Sequence, residues 1–206
     1  MHREIFNKYQ VDLLPYISNF RRSFYLVGGT ATAIHLGHRR SIDFDLFSSS
    51  PLVKSRIKRK LVQIPFDQNL IFEDYDQLHL NMNHVKITFF YFPYPIKHPV
   101  KVDSLITIPD LLTLASMKAF ALGRRAKWKD YVDLFFILKY HYSIQDICRE
   151  SVNNFGSQFS GKLFREQLAF HKDIDYSEPI EYLIPVVPEE EIRAFLINKA
   201  TDIDLF

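Results

Sequence analysis

The fold is decided by residues 24–47, which read FYLVGGTATAIHLGHRRSIDFDLF. Phe24–Val27 is an apolar run of strand length that leads directly into Gly28–Gly29. Thr30–Leu36 has the composition of a short helix, and Ile42–Phe47 alternates apolar and acidic residues as a half-buried strand does. The stretch therefore predicts strand, glycine turn, helix and a second strand lying beside the first.

The glycine pair stands at the start of the predicted helix, in a chain with only 6 glycines. Thr30 is expected to cap that helix, and Gly37 to end it. Glycines remove side chains where a backbone must approach a ligand closely, and the first N–H groups of a helix can bind a phosphate. A plain tight turn explains Gly28–Gly29 equally well, and the residues alone leave both readings open.

Two acidic residues, Asp43 and Asp45, lie two apart on the second predicted strand. Residues at this spacing project from the same face of a strand, so both carboxylates project together while Phe44 and Leu46 face the core. Two hard oxygen ligands suit Mg²⁺, which binds through one or two carboxylates plus the phosphates of a substrate.

The Asp-x-Asp spacing by itself is weak, because 15 aspartates in 206 residues produce about one such pair by chance. Only the first pair follows a strand, a glycine pair and a helix. The others are simply explained as solvated faces or turns: Asp74/Asp76, Asp173/Asp175 and Asp202/Asp204.

The rest of the chain predicts an α/β (α+β) fold in two parts. Residues 1–107 form a mixed β-sheet core with flanking helices, and residues 108–206 form a helical domain packed against it that completes a cleft. Pro15 is expected to kink or end the first helix. Further strands are expected at 69–74, 78–82, 85–92 and 101–106, and helices at 54–60, 110–122, 129–141, 143–155, 162–170 and 189–199.

Composition excludes several classes of protein. With 47% hydrophobic and 24% charged residues the chain is not expected to be disordered, and a formal net charge of +2 does not indicate a polybasic nucleic-acid binder. No apolar run approaches the roughly 18 residues that span a bilayer, so no membrane partner is expected. The single cysteine, Cys148, cannot form an internal disulfide, which favours a cytoplasmic location.

The helical half carries a second group of charged residues. Lys118 lies among apolar residues, and a partly buried lysine needs an anionic neighbour. Lys129, Asp130 and Asp133 share one helix face by their spacing, just before the apolar run 134–138. A surface ion pair is one explanation, and carboxylates that face a cleft or a partner are the other.

Taken in order, residues 26–31, 38–47, 85–90, 117–118 and 129–134 resemble the nucleotidyltransferase toxins of the abortive-infection AbiEii/AbiGii type. These belong to the DNA polymerase β-like nucleotidyltransferase superfamily. The resemblance implies a nucleotidyltransferase-type sheet and metal-dependent transfer of a nucleoside monophosphate from an NTP to an acceptor hydroxyl. It also implies Mg²⁺ or Mn²⁺ as cofactor, an RNA acceptor such as a tRNA end, a toxin role and a cognate antitoxin.

The resemblance also assigns roles to residues. It places the triphosphate on Gly28, Gly29 and Thr30, and the metal on Asp43 and Asp45. It implies that Lys118 contacts the triphosphate or the transition state, and that Asp130 and Asp133 are catalytic carboxylates. Further nucleotide-binding candidates come from the same motifs or beside them: Arg39, Ser41, Arg125 and Lys129.

One position departs from the superfamily pattern. Many members carry a third carboxylate on a later strand, and Thr88 stands at that position here. Three explanations stay open: Asp130 or Asp133 substitutes, one metal suffices, or activity is weak or lost. A nucleotide- or RNA-binding pseudoenzyme and a small-molecule acceptor are therefore kept as alternatives.

Two surface features also have two explanations each. The basic residues of 54–60 could follow an RNA backbone or form an ordinary solvated face. The aromatic residues of 89–94 are expected in the core first, and a base-stacking surface is the alternative.

Overall fold

A computed structural model describes residues 1–202 of the chain, so Asp204 of the fourth Asp-x-Asp pair lies outside the described residues. The chain divides into two compact units, Met1–Asp110 and Leu111–Phe206. The predicted boundary followed residue 107. The cleft expected between the two halves stays a prediction. Within the described part of the chain, no helix has the length and apolar character needed to cross a membrane.

The first unit contains seven strands and three α-helices among its described residues. The helices are α1 (Lys8–Ile17), α2 (Gly28–Leu36) and α3 (Lys54–Leu61). The strands are β1 (Tyr25–Val27), β2 (Phe44–Ser48), β3 (Gln68–Asp74), β4 (Gln77–Met82), β5 (Val85–Tyr91), β6 (Val100–Val102) and β7 (Ile106–Ile108).

Five of these strands form one mixed sheet in the order β1-β2-β5-β4-β3. The pair β2 and β5 is parallel, and the other neighbours are antiparallel. β6 and β7 form a separate antiparallel hairpin, where the sequence predicted one short strand. The predicted mixed sheet, with β2 directly beside β1, is therefore present.

The sheet buries one face at its central strands. Phe44 and Leu46 on β2 and Phe89 on β5 have no exposed surface. The Phe89 ring lies 4.8 Å from that of Phe20 and 5.2 Å from that of Phe24. This aromatic cluster is part of the buried core of the unit, whereas Asp45 and Phe47 on the other face of β2 are partly exposed.

Helix α1 begins with a reciprocal capping box, in which Asn7 accepts from the Gln10 amide and the Gln10 side chain accepts from that of Asn7. Pro15 lies inside the helix, which ends two residues later at Ile17. A proline in the last turn removes one backbone donor without preventing that turn, so the predicted ending is displaced by two residues.

The second unit is helical, as predicted. Its described helices are α4 (Leu111–Leu122), α5 (Trp128–Tyr140), α6 (Ile144–Phe155), α7 (Gly161–Ala169) and α8 (Glu189–Thr201). α4 packs on α6, and α7 packs on α8. α5 is the most buried of them, with Tyr131, Leu134 and Phe135 fully enclosed.

The aromatic cluster gives a stability prediction. Phe89→Ala removes a fully buried ring and leaves a cavity, so the free energy of unfolding should fall by about 3–5 kcal/mol. Phe72→Ala on the edge strand β3, where the ring is 46% exposed, is the matched control and should cost much less. Urea unfolding measures both, and equal losses would contradict this account of the core.

Candidate functional site

The alternation of β2 sets the direction of the two predicted metal ligands. Phe44 and Leu46 are fully buried, whereas Asp43, Asp45 and Phe47 are partly exposed. Asp45 lies on β2 and Asp43 immediately precedes it. Because side chains alternate across a strand, Asp45 and Phe47 leave β2 on the side opposite the core, and Asp43 is the partly exposed residue just before the strand.

Gly28 brings the glycine turn against Asp45. A Cβ built on Gly28 would overlap Oδ2 of Asp45 and lie 3.2 Å from its Cγ. Gly28 also has φ +70°, a conformation that favours glycine. The backbone before it is held in place because Val27 pairs with Asp45 across β1 and β2. Any side chain at position 28 would therefore displace the carboxylate.

Gly29 likewise leaves no room for a side chain, because Ser41 and Arg39 lie against it. A Cβ at Gly29 would lie 2.8 Å from Ser41 Oγ and 2.9 Å from Arg39 Nη2. Arg39 is 1% exposed, and its Nη1 donates to the carbonyl of Arg40 at 2.9 Å. A buried guanidinium thus lies directly behind the glycine turn, where it places positive charge close to the start of α2.

Thr30 does not cap the helix, so that prediction is wrong. α2 begins at Gly28 with no side-chain cap, and Thr30 lies within its first turn with 1% exposure. Its hydroxyl donates to the carbonyl of Asp43 and lies 3.4 Å from that of Ser41. Thr30 therefore ties α2 to the segment that enters β2 and positions the first aspartate.

Thr88 lies directly beside Asp45, since the two are paired residues of the parallel strands β5 and β2. The residue that stands where many superfamily members carry a third carboxylate is thus next to Asp45. On the other side of Thr88, β4 contributes His79, whose pKa is lowered by burial and by Lys86, against the opposing effect of Asp76. The sequence placed His79 beside a turn with no function assigned, and only strand register, a long-range property, places it next to Thr88.

Aromatic side chains continue this accessible face. The Phe47 ring lies 5.0 Å from Phe90 and 5.3 Å from Phe92, and all three are partly exposed. Of the predicted aromatic core, Phe89 is buried as expected, whereas Phe90 and Phe92 lie on the open side. The surface next to Asp45 is therefore suited to stacking on a planar group.

Within residues 1–202, no group of three or more His, Cys, Asp or Glu side chains could hold a metal ion. Asp43 and Asp45 provide two partly exposed carboxylates two residues apart, and Gly28 leaves the space next to Asp45 clear of a side chain. This donor set fits Mg²⁺, which completes its shell with water and substrate phosphates, rather than a site built from protein ligands alone.

The second unit gathers the other predicted residues into a buried ion-pair cluster. Lys118 Nζ lies 2.8 Å from Asp130 Oδ1 and 2.7 Å from Asp133 Oδ2, and Arg125 Nη2 lies 3.2 Å from Asp130 Oδ2. Lys118, Asp130 and Asp133 are 5%, 4% and 0% exposed. The expected anionic neighbours of Lys118 are thus present, and the explanation as a surface ion pair is wrong.

Burial alone would raise the pKa of Asp130, but Lys118 and Arg125 outweigh it and hold that pKa below its usual value. A carboxyl whose pKa is lower in the folded than in the unfolded chain stabilises the fold above the unfolded pKa. This contribution is lost as the pH falls through the folded pKa, so the cluster is intact near pH 7 and weakens below about pH 4.

Lys129 is not part of this cluster, contrary to the shared helix face that was expected. Its Nζ lies 3.0 Å from Glu178 Oε2, and Lys127 binds the other oxygen of the same carboxylate. Burial would raise the pKa of Glu178, but hydrogen bonds from both lysines lower it to about 2. Glu178 lies beyond the part of the chain that carried the family resemblance, so no pattern pointed to it.

Comparison with known proteins agrees with the family resemblance of the sequence motifs. A family model described as "Nucleotidyl transferase AbiEii toxin, Type IV TA system" matches residues 13–204. An uncharacterized protein of Aquifex aeolicus (strain VF5) is 35% identical over 122 residues, which are 57% of this chain. The matched part covers only 59% of that curated relative.

Two solved structures share the fold. MenT4, a nucleotidyltransferase toxin from Mycobacterium tuberculosis H37Rv, has a TM-score of 0.65 at 13% identity and covers 96% of this chain and 82% of its own. JHP933 from Helicobacter pylori has a TM-score of 0.55 at 16% identity and covers 97% of this chain and 91% of its own. At these identities the likeness concerns the fold alone.

The buried cluster gives a prediction with a pH signature. Lys118→Met leaves two buried carboxylates without their cation and should lower the free energy of unfolding at pH 7 by about 3–5 kcal/mol. The loss should be smaller at pH 5, because uncompensated buried carboxyls take up protons more readily. Urea unfolding at both pH values measures this difference.

Lys139→Met is the matched control for Lys118→Met. Lys139 lies on α5 and pairs at 3.0 Å with Glu191, but both side chains are substantially exposed. Its replacement should have a small effect that hardly changes between pH 7 and pH 5. If Lys118→Met behaved in the same way, the cluster would not be the buried network described here.

Proposed function

Since the chain belongs to the AbiEii family of nucleotidyltransferase toxins, we propose that it transfers a nucleoside monophosphate from an NTP to a hydroxyl of an RNA acceptor. In this reaction the acceptor oxygen forms a bond to the α-phosphorus, and the bond to the β-phosphate bridging oxygen breaks. Pyrophosphate leaves, and the hydroxyl proton passes to solvent or to a nearby base.

The observation that carries the proposal is the contact between Gly28 and the Asp45 carboxylate. It supports one site in which a carboxylate pair and the start of a helix share a bound triphosphate. The backbone N–H groups of Gly28 and Gly29 belong to the first turn of α2, where helical acceptors are absent. Arg39 behind the turn adds positive charge, which favours the anionic substrate.

Asp43 and Asp45 would hold a divalent cation, Mg²⁺ or Mn²⁺. When bound, such a cation supplies charge neutralisation on the phosphates and helps to align the nucleophile with the leaving group. The chain's own residues fix where this happens: Thr30 holds the Asp43 carbonyl, and β1 holds Asp45 in register with Val27. Ser41 packs under Gly29 and supports the turn.

Thr88 beside Asp45 favours one of the three explanations left open by the sequence. A threonine cannot act as a third carboxylate, and Asp130 and Asp133 are both committed to Lys118. We therefore propose that the carboxylate pair on β2 suffices for a single cation. The ion pairs support a role in stability for the buried cluster of Lys118, Arg125, Asp130 and Asp133. Contact between substrate and any of these residues, or Lys129, stays a prediction.

The nucleobase has a natural place on the aromatic face that continues β2. Phe47 follows Asp45 on the same side of the strand, and Phe90 lies beside it on β5. Stacking on such rings is tolerant of base identity, so this surface supports binding of a nucleotide without choosing among the four.

The family description supports a toxin role and a cognate antitoxin, because it names a type IV toxin-antitoxin system.

Two alternatives to this function are a pseudoenzyme that binds nucleotide without transfer and an enzyme that modifies a small molecule. Incubation with Mg²⁺, each labelled NTP and either total tRNA or a small-molecule acceptor pool separates them by where the label appears. Nucleotide binding without any transfer would favour the pseudoenzyme.

Replacement of one carboxylate tests the proposal directly. Asp45→Asn keeps the size of the side chain but removes its charge, so label transfer to RNA should fall by at least about 10²-fold. Asp74→Asn is the matched control, since Asp74 belongs to another Asp-x-Asp pair at the exposed end of β3. Equal transfer by the Asp45→Asn variant and the wild-type chain would overturn the proposal.

A further inference from the structure

A cavity in the first unit is lined by none of the residues placed at the nucleotide site above. It has a volume of about 390 Å³ and lies where β1 begins and β2 ends. Ser48, Ser49 and Ser50 form one wall, and α3 contributes another. We call this the basic pocket, because four cationic residues line it: Arg21, Arg22, Arg56 and Lys60.

None of these four cations has a carboxylate partner within the described range 1–202. Arg21 Nη1 donates to the Ser104 carbonyl at 2.9 Å, and Lys60 Nζ donates to the Asn19 carbonyl at 2.6 Å. Arg22 and Arg56 are exposed at the mouth of the cavity. Four positive charges around one cavity, without compensating carboxylates, produce a potential that attracts anions.

The basic residues of helix α3 differ in their partners. Lys54 and Lys58 on the same helix pair with Glu73, at 3.7 Å and 2.7 Å. Arg56 and Lys60 instead line the cavity. The basic residues of α3 are therefore not one uniform solvated face, because Lys54 and Lys58 pair with Glu73 of β3 whereas Arg56 and Lys60 line the cavity.

A buried hydroxyl provides an independent sign of a ligand. Tyr25 is 3% exposed and lines the basic pocket, and among the described residues its hydroxyl has no hydrogen-bond partner. A tyrosine hydroxyl is protonated at neutral pH, and burial raises the pKa of Tyr25 further, so the group is a hydrogen-bond donor. A buried donor without an acceptor costs free energy, and a phosphate oxygen in the cavity would satisfy it. The ring itself is held by stacking on His98, with centroids 4.4 Å apart.

A second basic cavity of about 390 Å³ shares three of the cations, Arg21, Arg22 and Lys60. It adds the polar side chains of Ser18 and Gln63. Two cavities that share three cations fit consecutive phosphates of a strand better than they fit one isolated anion.

We propose that the basic pocket binds the phosphate backbone of a single-stranded RNA segment, with the Tyr25 hydroxyl donating to a phosphate oxygen. This inference rests on the proposed function in one respect, namely that the bound strand belongs to the RNA that accepts the nucleotide. Binding itself needs neither NTP nor a divalent cation. It can therefore be measured separately from transfer.

The test uses the full chain and a fluorescently labelled 12-nucleotide oligouridylate in buffer without NTP or divalent cations. Fluorescence anisotropy gives the affinity between 50 and 200 mM salt. The double variant Arg22→Ala/Arg56→Ala should bind at least about 10-fold more weakly, and the slope of log K against log salt should become shallower by about 1 to 2.

Two single variants refine the test. Arg59→Ala removes the same charge from an exposed position of α3 that lines neither cavity, and it should change affinity less than about 2-fold. Tyr25→Phe removes only the unpartnered hydroxyl, so it should weaken RNA binding several-fold while leaving the thermal unfolding midpoint unchanged or higher.

Two results would overturn the inference. One is that Arg22→Ala/Arg56→Ala weakens binding no more than Arg59→Ala does, which would make the RNA contact a non-specific charge effect. The other is that inorganic phosphate or a nucleoside monophosphate displaces the oligonucleotide at micromolar concentration, which would make the pocket a single-anion site. Intact RNA binding in a chain without transfer activity would overturn only the proposed function.

Discussion

The structure of the site depends on one close contact, in which the backbone of Gly28 occupies the space next to the Asp45 carboxylate. This contact is possible only because the chain passes from β1 into α2 without a side chain and with a positive φ. Two further restraints keep it in place. The register of β1 against β2 fixes Val27 beside Asp45, and the Thr30 hydroxyl holds the Asp43 carbonyl.

Local sequence patterns were sufficient to predict the centre of this arrangement. The elements β1, α2 and β2 are short and follow one another directly in the sequence. The alternation of apolar and acidic residues around Phe44 and Leu46 indicates which face of β2 is buried. The family resemblance added the residue roles, and the family itself is confirmed by the match to residues 13–204. The fold class is confirmed by the mixed sheet and by the shared fold of MenT4.

What the sequence could not supply was long-range pairing. Thr30 has the right residue type for a cap, but its hydroxyl is used by carbonyls eleven and thirteen residues later. Lys129 has the right spacing to reach Asp133, yet Glu178 from a distant segment neutralises it. The orphaned Tyr25 hydroxyl is equally invisible in a linear pattern, because its burial depends on His98 and on the end of β2.

The two clusters of charged residues differ in burial. In the second unit, Lys118 is neutralised by Asp130 and Asp133, so that this cluster acts on stability and on its pH dependence. In the first unit, Arg22 and Arg56 have no carboxylate partner among the described residues, so this charge remains available to an anionic ligand. The contrast follows from burial: a fully enclosed cation requires a partner, whereas one at the mouth of a cavity does not.

The central claim is that Gly28 and the Asp43/Asp45 pair form one site for a cation and a triphosphate. Its most direct test is Mn²⁺ binding by the wild-type chain and by Gly28→Ala, measured by electron paramagnetic resonance with a non-hydrolysable NTP analogue. The account predicts that the wild-type chain binds Mn²⁺ with the analogue and that Gly28→Ala, folded as judged by circular dichroism, loses this binding. Equal binding by both chains, or no binding by the wild type, would contradict it.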